Sequence, residues 1–215
     1  MAKRRVYYIE GNKIRFTDFD IEWNHGFSIQ QKQKNVRNLH AAISEYFNVQ
    51  LNQILEVSTK SLEEIGRQLS SFNLKIQTNE GKFPLECFYQ SSKVFTNFWG
   101  EYQIFEALYM SPKSAKVRLA KENHKCLIKF RCFGKDFPLE PKYLFYDWLY
   151  INAVKELPDL INHILNYKFF TDIEFNPDKS LSCQARTLVL YIWLIKNNRL
   201  DDYINNPIYF YKNVR

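Results

Sequence analysis

Between Pro141 and Pro158 runs a helix-length stretch that is apolar on nearly all sides: Tyr143, Leu144, Phe145, Tyr146, Trp148, Leu149, Tyr150 and Ile151. A helix without a polar face has to be buried, so the rest of the chain must wrap it. The composition allows this, since 46% of the 215 residues are hydrophobic and 17% aromatic, enough for a sizeable core. Asp147 stands in the middle of the run. A carboxylate there is costly unless it is paired or faces a polar cleft. Asp147 is therefore either the structural partner of an Arg or Lys, or a site residue.

The remaining elements follow from local signals. Residues 5–24 alternate apolar and polar and break at Gly11-Asn12, which reads as short strands or a hairpin. Ser28 is a good N-cap for a helix through Phe47, with Val36, Leu39, Ala42, Ile43 and Phe47 on one stripe. Ser61-x-x-Glu64 has the form of a capping box opening a short helix to Gln68. A strand-like Lys75-Ile76-Gln77 and an Asn79-Glu80-Gly81 turn lead to a helix over Pro84–Phe95. Glu101–Tyr109 reads as helix, and Ser111-Pro112 starts another through Lys121. Residues 122–136, with Lys125, Lys129, Arg131 and Lys135, read as a basic loop, either solvated or in contact with phosphate. Pro158–Tyr167 is a short helix, and Phe170–Pro177 has period two, as in an edge strand with an acidic outer face. Ser182 caps a last long helix through Asn198, and the tail from Leu200 shows nothing specific. With no linker or repeat, the chain reads as one domain: 1–55 strands plus helix, 56–199 core, 200–215 tail.

The Pro84–Phe95 stretch carries the most suggestive chemistry. At ~100° per residue, Glu86, Gln90, Lys93 and Asn97 fall in one stripe, with Leu85, Phe88 and Phe95 broadly opposite. The stripe is either a solvated face or one wall of a cleft. The net charge of +7 favours an anionic partner. The cysteines and histidines are scattered, without a C-x-x-C or H-x-x-x-H pair, so no metal site is expected. The longest apolar run, Leu188–Ile195, is too short to span a bilayer, and a cytoplasmic chain with no membrane partner is expected. Gly-rich phosphate loops, G-x-S-x-G and HExxH are absent from the sequence. Carboxylates in apolar surroundings (Glu86, Asp147, Asp172, Glu174), aromatics and cations remain. That set suits hydrolysis of a nucleoside-like N-glycosidic bond through an oxocarbenium-like state, and it suits sugar binding without reaction equally well.

Leu69-Ser70-Ser71-Phe72, then Glu86-Cys87-Phe88-Tyr89-Gln90-Ser91-Ser92-Lys93, then Ser111-Pro112-Lys113-x-Ala115-Lys116, resembles the NADAR (YbiA-like) superfamily in order and spacing. Glu56–Ser61, Phe137–Lys142, Phe145–Asn152, Phe170–Pro177 and Cys183–Arg186 look like one branch of it, the NADAR antitoxins associated with DarT-type toxins. Gly26-Phe27-Ser28 and Gln31–Lys34 extend the likeness to nearly the whole chain. The resemblance implies a mainly α fold with a few short N-terminal and peripheral β-strands. It also implies an N-glycosidase that removes the ADP-ribose a DarT-type toxin attaches to guanine in DNA. ADP-ribosylated DNA and the toxin would be the partners. No separate cofactor is implied, ADP-ribose being part of the substrate.

Residue by residue, Glu86 matches the catalytic glutamate and Asp172 is the second carboxylate. Gln90, Lys93, Asp147 and Trp148 would line the pocket, Trp148 as a stacking surface. Arg186 would meet the pyrophosphate, with Ser70, Phe72, Glu174 and Gln184 completing the substrate-binding set. The chain departs from the broader superfamily in three places. Cys87 replaces a histidine after the glutamate, Val117-Arg118-Leu119 stands where Gly-Arg is usual, and Gln184-Ala185-Arg186-Thr187 replaces Asn-x-Leu-Gly. These differences favour the DNA-directed branch over glycosidase action on small flavin-pathway intermediates. A binding protein that sequesters the toxin or the modified DNA is the non-catalytic alternative.

Overall fold

The computed structural model describes residues 1–122, 126–178 and 182–213. They fold as two compact units, each discontinuous in sequence: Met1–Ser70 with Val154–Asp201, and Ser71–Ala153 with Asp202–Arg215.

In the first unit, β1 (Ala2–Glu10) and β2 (Lys13–Ile21) form the expected hairpin, paired from Ala2↔Ile21 to Glu10↔Lys13. Gly11, at φ +57, supplies the left-handed residue that a two-residue hairpin turn requires. Next, β3 (Ile54–Glu56) lies parallel to β10 (Phe169–Thr171), which is antiparallel to β1, giving the order β2-β1-β10-β3. Strand side chains alternate between faces. Val6, Tyr8, Ile54 and Phe169 meet helix α1 (Ile29–Phe47) through Val36, Leu39 and Ile43. Tyr7, Leu55 and Phe170 point the other way, and helix α7 (Gln184–Lys196) packs on β1 and β10. The Ser28 side chain accepts from Gln31 N, as a cap should. Short helices α2 (Glu64–Gln68) and α6 (Pro158–Ile164) complete this unit.

In the second unit, the hairpin of β4 (Lys75–Thr78) and β5 (Gly81–Pro84) delivers the chain to helix α3 (Leu85–Ser91). A fully antiparallel sheet follows in the order β7-β6-β8-β9, from β6 (Lys93–Asn97), β7 (Gly100–Gln103), β8 (Leu127–Cys132) and β9 (Lys135–Phe137). A 3-10 turn (Phe105–Tyr109) and helix α4 (Pro112–Leu119) pack on α3 around Cys87, Phe95, Ile104, Ala107, Ala115 and Leu119. The apolar run is helix α5 (Leu144–Lys155). Its Phe145 stacks on Phe130 at 4.6 Å, and its Trp148 packs on Phe137 at 4.8 Å. Helices α8 (Leu200–Asn205) and α9 (Pro207–Asn213) end the described chain.

The expectation of a mainly α fold is therefore wrong: the described residues form a mixed α/β structure with ten strands in three sheets. The error lies in segments whose local pattern is ambiguous. Lys93–Asn97 reads as the end of a helix and Glu101–Gln103 as the start of one, yet each is paired with the other as β6 and β7. Cross-strand pairing, in this hairpin and between β6 and the distant β8, overrides local propensity there. The basic 122–136 segment is another case. Its described part contains β8 and β9, and Lys129 and Arg131 are both paired with Glu101 and Asp136; Lys125 lies outside the described residues. Phe169–Thr171 is an interior strand, not an edge. Ser61 and Ser182 do not cap: Glu63 and Cys183 hold the N-cap positions. The described part of the tail from Leu200 is mostly helical.

Candidate active site

Helix α3 begins one residue later than expected, with Pro84 as its N-cap. Glu86 N donates to Ser71 O at 3.0 Å, and Leu85 N to Leu74 O at 2.8 Å, which anchors the first turn. The helix has no solvated face: Glu86 and Gln90 are buried along with Leu85, Cys87, Phe88 and Ser91. Cys87, standing where the superfamily has histidine, sits in the apolar cluster and its thiol donates to Met110 O at 3.1 Å. Burial, and then the nearby Glu86, push that thiol up to about 11.

The helix ends with the Ser91 and Ser92 hydroxyls donating to Phe88 O at 3.1 and 2.8 Å. The exit is then fixed to the sheet, as Arg131 N donates to Ser92 O at 2.8 Å and Gln103 Nε2 to Ser91 O at 3.0 Å. Lys93 is thus the first residue of β6, not a continuation of the helical stripe, and Asn97 leaves the stripe with it. Lys93 nevertheless turns back. Its Nζ donates to Gln90 Oε1 at 2.8 Å, and Gln90 Nε2 donates to Glu86 Oε1 at 2.9 Å. The direction of this chain is set by Lys93, which can only donate. It makes Oε1 the acceptor end of the Gln90 amide and so turns the NH₂ toward Glu86. Among the described residues Gln90 is the one side chain bonded to the Glu86 carboxylate, which keeps Oε2 for a substrate or a water. Burial lowers Lys93, and the Glu86 charge opposes that shift.

A second polar cluster belongs to the first unit, where the parallel strands β3 and β10 end. Glu56 is buried and accepts from Ser58 Oγ (2.5 Å), Thr171 Oγ1 (2.7 Å) and Ile173 N (2.8 Å). Asp172, also buried, accepts from Glu174 N and from Gln184 Nε2, both at 3.2 Å. Desolvation and then the Glu56 charge push Asp172 up to about 7, and desolvation raises Glu56 as well. Arg4 supplies the counter-charge, donating to Ile173 O at 2.8 Å while lying over the Trp23 ring at 4.2 Å. His40 shares Thr171 Oγ1 at 3.0 Å, and burial lowers it to about 4. Glu174 is exposed and paired with Lys32 at 3.3 Å. Arg186, buried in the first turn of α7, acts on Tyr7 and Cys183.

The structure therefore gathers Glu86, Gln90 and Lys93 in one group, and Asp172, Glu174 and Gln184 in another. Asp147 and Trp148 are engaged by the C-terminal segment: the Tyr211 hydroxyl donates to Asp147, and Trp148 Nε1 donates to Ile204 O at 3.0 Å. Asp147 thus has a tyrosine partner, where the sequence offered an Arg or Lys partner or a site residue. Ser70 is buried at the end of the α2 turn, and Phe72 is half-buried before β4. Sequence reasoning missed Glu56, Thr171, His40 and Arg4 as members of the Asp172 network. Glu56 was legible in principle: a carboxylate between Leu55 and Val57 in a β-prone stretch raises the same question as Asp147.

Among the described residues no group of three His, Cys, Asp or Glu side chains is placed to hold a metal ion, and no helix is long and apolar enough to cross a membrane. Residues 2–215 match the family of DarT1-associated NADAR antitoxins. The chain belongs to that family. A search of curated proteins returned no match. As a NADAR antitoxin it is one half of a toxin–antitoxin system whose toxin is of the DarT1 type. In this antitoxin the resemblance drawn from Glu86–Lys93 falls on a hydrogen-bonded chain with a defined direction.

Proposed function

We propose that the antitoxin is an N-glycosidase that removes ADP-ribose from guanine in DNA, with Glu86 as its catalytic carboxylate. The observation that carries this reading is the Lys93–Gln90–Glu86 chain, with Gln90 and Glu86 buried and Lys93 half-buried. It holds one carboxylate oxygen and leaves the other to the reaction. As the glycosidic C–N bond breaks, its electron pair moves to the guanine nitrogen and positive charge develops on the ribose. An oriented, buried carboxylate stabilises that charge more than water does. Water then adds its oxygen to the anomeric carbon with Glu86 accepting a proton. The net reaction is addition of one water, with hydroxyl to ribose and hydrogen to guanine. Gln90 and Lys93 are positioning residues, the first holding the carboxylate rotamer and the second the amide.

Asp172 is the second carboxyl of the proposal on its chemistry alone. A buried carboxyl pushed up to about 7 retains a proton as neutral pH is approached. The toxin's product gives the substrate its class, and the +7 charge suits a nucleic acid. The test is incubation with an oligonucleotide bearing ADP-ribose on guanine, followed by mass spectrometry. Free ADP-ribose and the restored oligonucleotide are expected; recovery of only the modified strand contradicts the assignment.

A further inference from the structure

The second unit contains a cavity of about 440 Å³ that takes none of its lining from α3. The sizes of small-molecule sites begin near ~300 Å³, so one nucleotide fits. Its floor includes Trp148, whose ring is fixed twice, by Nε1 donating to Ile204 O and by packing on Phe137. Tyr209, 65% exposed, stands at the rim with Lys135 and Lys212, and Asn205 and Asn206 add amide groups. The lining also holds an acid, Asp136, but Lys129 and Arg131 neutralise it at 2.8 and 2.7 Å. Among the described residues neither Lys135 nor Lys212 is in an ion pair. The cavity therefore presents the exposed Tyr209 ring and the uncovered part of the fixed Trp148 ring, hydrogen-bonding amides and two cations outside any ion pair.

We propose that this cavity binds one nucleotide of a single-stranded DNA segment, its base against Trp148 and Tyr209 and its phosphate between Lys135 and Lys212. Rigid aromatic surfaces accept any base by stacking, and lysines track the phosphate without reading sequence. Asn amides present donors and acceptors to a base edge. A free nucleotide offers the same chemistry as one link of a strand. The strand is the occupant the cavity favours by charge complementarity: the lining carries two lysines outside any ion pair, and its one acid, Asp136, is already held by Lys129 and Arg131. The DNA source rests on the substrate class proposed above, whereas the cavity does not depend on Glu86.

The test is fluorescence anisotropy with a labelled, unmodified single-stranded oligonucleotide. Lys135→Glu and Lys212→Glu are each expected to weaken binding ~10-fold or more, and Tyr209→Ala to weaken it ~5-fold or more. Lys34→Glu, a charge reversal on α1 in the first unit, is expected to leave binding unchanged. Unaltered affinity in all three cavity variants would overturn the proposal, as would equal loss in Lys34→Glu. So would loss of AMP binding in the cavity variants with oligonucleotide binding intact, since the ligand would then be a free nucleotide. Circular-dichroism melts of these variants separate lost binding from lost folding. Because the oligonucleotide carries no ADP-ribose, the outcome is independent of whether Glu86 hydrolyses anything.

Discussion

Gln90 touches both neighbours in its chain with a single planar amide, so replacing it separates orientation from charge. Gln90→Ala leaves Glu86 ionisable but free to rotate. Turnover is expected to fall ~10–100-fold with little change in KM, the signature of a group that aligns the reacting carboxylate. Lys93→Met keeps most of the side-chain volume and removes the donor that fixes the amide. It is expected to give a smaller loss of the same kind, measured by the same steady-state kinetics. How far these roles were legible depends on the residue. Glu86, Gln90 and Lys93 share a helical stripe in sequence, and their contact survives even though the helix stops at Ser91, because the side chain of Lys93 is long enough to turn back. Asp147 and Trp148 enter the pocket set through a matched string, and nothing local in that string reveals that Tyr211 and Ile204 engage them from a distance of more than fifty residues.

At the scale of elements, the β3–β10 end carries a pH-sensitive balance. Asp172 has its folded pKa raised from 3.8 to about 7. The stability it contributes is present below the ordinary carboxylate range and lost as pH rises from about 4 to about 7. His40 is shifted the other way, from 6.5 to about 4, so its contribution is present above 6.5 and lost as pH falls toward 4. The two slopes oppose one another in nearly the same window, so variants must separate them. Asp172→Asn is expected to gain on wild type by on the order of 2–4 kcal/mol between pH 5 and pH 8 in urea melts, because each tenfold change in a proton-binding constant is worth ~1.4 kcal/mol. Equal gaps at both pH values would contradict burial of an ionising carboxyl.

Packing beside the same strand sets another expectation. A Cβ at Gly66 in α2 would meet Glu56 O at 2.0 Å and Ser61 Oγ at 2.3 Å. Gly66→Ala should therefore destabilise by ~2 kcal/mol or more, by denaturant melt. Ser28→Ala should cost ~1 kcal/mol. The Ser28 and Ser111 caps were readable because capping is local. The interior position of Phe169–Thr171 was not, since strand order depends on partners more than a hundred residues away.

Across the whole molecule, the apolar run did call for burial, and Leu144–Ile151 is buried throughout. What it did not settle was the class of fold, because an all-round apolar helix is satisfied equally by helices or by sheets. Family membership assigns the antitoxin role; the proposed chemistry rests on the Glu86 carboxylate, bonded to Gln90, which Lys93 bonds in turn. The direct test is single-turnover release of ADP-ribose from guanine-modified DNA, comparing wild type with Glu86→Gln at matched binding of the modified strand. Release by wild type and a loss of ~1,000-fold or more in the variant are expected. Release by Glu86→Gln at the wild-type rate, or none by either protein, would contradict Glu86 as the catalytic carboxylate.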